Sequence, residues 1–86
     1  MARRSRAKEA HRIAEAIASN FLEEFGSNEK GFRGAKFVWP DTYIDMVGNF
    51  TRLHCNLAGL KPNEAADEEL GRQVARRLIA ENPHIK

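Results

Sequence analysis

The 86-residue sequence contains one cysteine, three prolines, one tryptophan and one tyrosine, and each scarcity closes off a class of protein. Cys55 alone cannot form an intramolecular disulfide, which fits a reducing compartment. One cysteine with the scattered His11, His54 and His84 gives no zinc-finger or ribbon spacing, so no metal and no other cofactor is expected. No apolar run approaches the roughly 18 residues needed to span a bilayer, and the Arg-rich start lacks the hydrophobic segment of a secretory signal. A cytoplasmic location and no membrane partner are the expectation. A chain this short buries only about 60–65% of its unfolded surface, which leaves room for one modest core and none for a dinucleotide-binding fold.

Catalytic constellations are missing as well. His54 and Cys55 are adjacent, so on a helix they point about 100° apart and cannot readily form a nucleophile–base pair. The segment GSNEKGF over residues 26–32 has the glycine spacing of a phosphate-binding loop, but Phe32 stands where a lysine is required. No catalytic residue is assigned and no enzyme is expected.

What is present is helical periodicity. Over residues 5–25 the apolar positions Ala7, Ala10, Ile13, Ala14, Ile17, Ala18, Phe21, Leu22 and Phe25 recur at spacings of three and one. They form a face about half the circumference wide. Ser5 suits an N-cap and Gly26 a left-handed terminator. From Asp41, placed to cap a second helix, Met46, Phe50, Leu53, Leu57 and Leu60 recur at 4, 3, 4, 3, with Tyr43 and Val47 widening the stripe and Gly48 a weak point. The sequence AGLKP over 58–62 has the glycine, trailing hydrophobe and proline of a helix stop. A third helix over 63–81 turns Leu70, Val74, Ala75, Leu78 and Ile79 inward, with Gly71 permitting a close crossing. The expectation is an all-α, three-helix domain over residues 1–86, with residues 1–5 as a flexible basic arm. An irregular Gly/aromatic loop joins the first two helices. Its residues 36–39 form a short extended stretch that either covers the helices or pairs with another molecule.

The formal net charge of +2 hides an uneven distribution. Residues 1–12 carry +4 and the remainder −2. The acids Glu64, Asp67, Glu68 and Glu69 open the third helix and Arg72, Arg76 and Arg77 follow, an order that the helix dipole favours and that solvation explains. The first helix is the reverse, with Arg6 and Lys8 near its positive end and Glu23 and Glu24 near its negative end. Each such placement is unfavourable by roughly 0.3–1 kcal/mol at low salt. A pattern that folding disfavours points to binding. The loop also interleaves bases with aromatics, as a single-stranded nucleic acid needs for backbone contact and base stacking.

The candidate contacts are therefore Arg3, Arg4, Arg6, Lys8 and Arg12 on the arm and first helix, and Lys30, Phe32, Arg33 and Lys36 on the loop. The first functional expectation is a non-enzymatic helical protein docking on nucleic acid or a nucleoprotein. A helix-turn-helix mode is disfavoured, because the second helix of that motif would bring four carboxylates to the phosphates. The alternative is a protein–protein interaction module (an adaptor, assembly partner or inhibitor of a larger complex). Its apolar stripes exceed what a monomer can cover, which makes a homodimer a further expectation. A basic amphipathic membrane-surface helix is the weakest reading, because the apolar face begins with alanines.

Overall fold

The computed structural model describes residues 5–27 and 41–81, the side chains of 24–27 excepted. It contains three α-helices: α1 at Arg6–Ser27, α2 at Asp41–Leu57 and α3 at Glu64–Glu81. Among the described residues there is no strand. The expected extended stretch at 36–39 lies outside them, as do residues 1–4 of the expected arm at 1–5 and the basic-aromatic residues 30–39 of the loop.

The helix boundaries follow from local chemistry. The Ser5 hydroxyl accepts from the Lys8 amide at 3.1 Å, and the Ser5 carbonyl accepts from the Glu9 amide at 3.1 Å. That is the N-cap expected of serine, satisfying a donor the helix cannot. At the other end, α1 runs through Gly26 to Ser27 rather than stopping at the glycine, since glycine tolerates helical dihedrals at a modest entropic cost. The end of α2 is a Schellman motif. Leu60 donates its amide to the Cys55 carbonyl and Gly59 to that of Asn56, both at 3.1 Å, with Gly59 at φ 80°. Only glycine adopts that angle without a steric cost. The Asn63 carbonyl then accepts from the Asp67 amide at 2.9 Å to open α3.

The core is built from one line on each helix. From α1 come Ala10, Ala14, Ala18 and Leu22, and from α2 come Tyr43, Val47, Thr51 and Cys55, all buried. From α3 come Asp67, Gly71, Val74 and Ala75. The α1 face is thus narrower than its sequence pattern, with Ile13, Ile17 and Phe21 only half-buried at its edge. The Tyr43 hydroxyl donates to the Ala18 carbonyl at 2.8 Å and ties the start of α2 to the middle of α1. The Thr51 hydroxyl donates to its own helix, at the Val47 carbonyl 2.7 Å away. This is the usual way to satisfy a buried threonine.

Two glycines set the α2–α3 distance. A methyl group built on Gly71 would lie 2.6 Å from the Thr51 Oγ1 and 2.8 Å from both the Gly48 Cα and the Val47 carbonyl oxygen. One on Gly48 would lie 2.9 Å from the Glu68 carbonyl oxygen. Gly48 is therefore a contact point, and not the weak point its sequence position suggests. Ion pairs edge this seam, with Arg52 donating to Glu68 at 2.7 Å and Arg72 reaching the same carboxylate at 3.4 Å. The α1–α3 seam is edged by Arg77, which donates to Glu15 and holds that carboxyl below its ordinary range.

Gly71→Ala is expected to destabilise the fold despite improving helix propensity. The backbone atoms it meets cannot move aside, so about 1–3 kcal/mol of overpacking outweighs a propensity gain of about 1. Urea denaturation measures the difference, and an unchanged midpoint contradicts the close crossing. The single tyrosine gives a second check. Burial raises the Tyr43 phenol from its ordinary value of 10 to about 12. A raised folded-state value means stability that is complete below pH 10 and lost as pH climbs from 10 towards 12. Tyrosinate absorbance should therefore appear well above pH 10 in the native protein and near 10 once denaturant unfolds it.

Candidate interaction surface

Of the nine proposed contacts, the structure describes three. Arg3, Arg4, Lys30, Phe32, Arg33 and Lys36 lie outside the described residues. Lys8 is exposed on α1. Arg12, four residues on and also exposed, donates to the Glu9 carboxylate at 2.7 Å. Burial does little to offset that bond, so the guanidinium pKa is raised. Lys8 and Arg12 project from one side of the helix and share a solvent-facing strip.

Arg6 has an intramolecular partner. Its Nη1 and Nη2 donate to Oδ1 and Oδ2 of Asp67 at 2.9 and 2.8 Å, and its Nε donates to the Lys61 carbonyl at 2.7 Å. The Asp67 side chain is only 1% exposed. The solvated acidic block expected at the start of α3 is therefore incomplete, because Asp67 faces inward while Glu64 and Glu69 remain exposed. The reason is the helical period: Asp67 precedes Gly71 and Val74 on one line, and that line points at α1 and α2. An ionised carboxylate cannot be buried there without a partner, and a bidentate guanidinium supplies the geometry best. Placed against its own helix dipole, Arg6 therefore has a structural explanation. Hydrogen bonding to Asp67 outweighs desolvation and raises the Arg6 pKa further.

Cys55 lies beside this clamp, fully buried. Burial pushes its thiol above the ordinary value, with the Asp67 charge adding to the effect. An activated thiolate needs the opposite shift. Among the described residues no cluster of three or more His, Cys, Asp or Glu could hold a metal ion.

The larger feature is an open apolar groove of about 420 Å³ between α1 and α2. Ile13, Ala16 and Ile17 form its α1 side, and Leu57 and Ala58 form the far wall. Arg12, Asn20 and His54 supply its polar atoms. Phe50 continues the α2 wall, meeting Phe21 edge-on with ring centroids 5.2 Å apart. Along α2 the exposed ridge is Phe50, Leu53 and Leu57, which are 37%, 42% and 81% exposed. This ridge is part of the Met46–Leu60 stripe read from the sequence, of which the widening residues Tyr43 and Val47 are the ones fully buried. The buried face of α2 is the Tyr43, Val47, Thr51, Cys55 line, rotated from it by roughly a quarter turn. The i, i+4 recurrence of that line was the available signal, obscured because two of its four members are a threonine and a cysteine.

Among the described residues no helix is long and apolar enough to cross a membrane. Comparison with known proteins returns nothing: no family model matches the chain, and neither a curated protein nor a solved structure is significantly similar to it.

The clamp predicts its own mutational behaviour. Arg6→Ala should lower stability by about 2–4 kcal/mol, because it leaves a buried carboxylate unpaired. Arg6→Lys should recover only part of this, since an ammonium cannot reproduce the fork. Chemical denaturation of the two variants checks this; equal stability of Arg6→Ala and the native chain contradicts it.

Proposed function

We infer that this protein is a small protein-interaction module that binds through the α1/α2 face. The observation that carries this reading is the ridge of Phe50, Leu53 and Leu57 beside an open groove. Large apolar side chains aligned along one helix face, next to a recess and rimmed by polar groups, make the type of surface that a protein partner covers. Leu57, 81% exposed, is the natural anchor. It is not among the core residues, so most of the apolar area it presents is left for a partner to cover.

The nucleic-acid reading is the second proposal, and the observation favouring it is the exposed strip of Lys8 and Arg12. It weakens at Arg6, which pairs with Asp67, and at Arg12, which shares its charge with Glu9. The two readings separate in one capture experiment using the tagged full chain, supplied with host extract and with untagged copies of itself. Docking on protein is expected to retain a protein at fixed stoichiometry through nuclease and high salt. Leu57→Glu should lose that protein while unfolding at an unchanged temperature. Retention by Leu57→Glu overturns the groove as the docking face. Release by nuclease, with a steep loss of binding as salt rises, would select nucleic acid instead.

A further inference from the structure

We draw no further inference here: the strongest candidate, the apolar groove between α1 and α2 with its ridge of Phe50, Leu53 and Leu57, belongs to the docking face already described, and nothing in the structure shows what covers it.

Discussion

Asp67 is the constraint around which the three helices are arranged. A carboxylate this deeply buried must be paired, and the pairing must be geometrically good to offset the loss of water. Arg6 meets that demand with both terminal nitrogens, while its Nε holds the Lys61 carbonyl. One side chain at the start of α1 thereby fixes the start of α3 and the connection that precedes it. Because Asp67 sits four residues before Gly71, fixing α3 also fixes the glycine at the α2–α3 crossing, and with it the angle at which α2 presents its ridge.

The remaining charges serve the seams. Arg52, Arg72 and Glu68 tie α2 to α3, and Arg77 ties α3 to Glu15 on α1. Exposed pairs of this kind each contribute little. These pairs edge the α2–α3 and α1–α3 seams, whereas Arg12 beside the α1/α2 groove pairs with Glu9 on its own helix. The polar groups of the α1/α2 groove are Arg12, Asn20 and His54, and beside them the apolar side chains lie open. The basic character of α1 thus has two parts. Arg6 belongs to the interior, whereas Lys8 and Arg12 belong to the surface next to that groove.

Much of the architecture was legible in the sequence. Ser5, the glycine–leucine–proline run at 59–62 and the apolar period of each helix reflect short-range rules, and the structure follows them to within a residue or two. What could not be read was which of two adjacent faces of α2 turns inward. The stripe of Met46, Phe50, Leu53 and Leu57 is the more hydrophobic, and hydrophobicity alone assigns it to the core. The inward face is decided by fit: Tyr43 finds the Ala18 carbonyl, and Gly48 and Thr51 meet Gly71. Those partners lie 20 or more residues away in the chain. Asp67 was misread for the same reason, since its acidity suggests solvent until the distant Arg6 is placed beside it. The open apolar face of α2 was legible only in outline, as more apolar stripe than a small monomer can cover.

The alanine line on α1 has a consequence of its own. Ala10, Ala14 and Ala18 are buried with almost no side chain, which lets α1 pack closely against the other two helices. That line acts as a spacer. Its thinness keeps the Ala18 carbonyl within reach of Tyr43 and the Arg6 fork within reach of Asp67. A larger side chain at any of the three positions would push the helix outward and lengthen both bonds together. The tolerance of this chain to sequence drift therefore does not follow hydrophobicity: Leu57, at the end of the α2 ridge, has far more freedom to vary as far as folding is concerned than the smallest residues on α1.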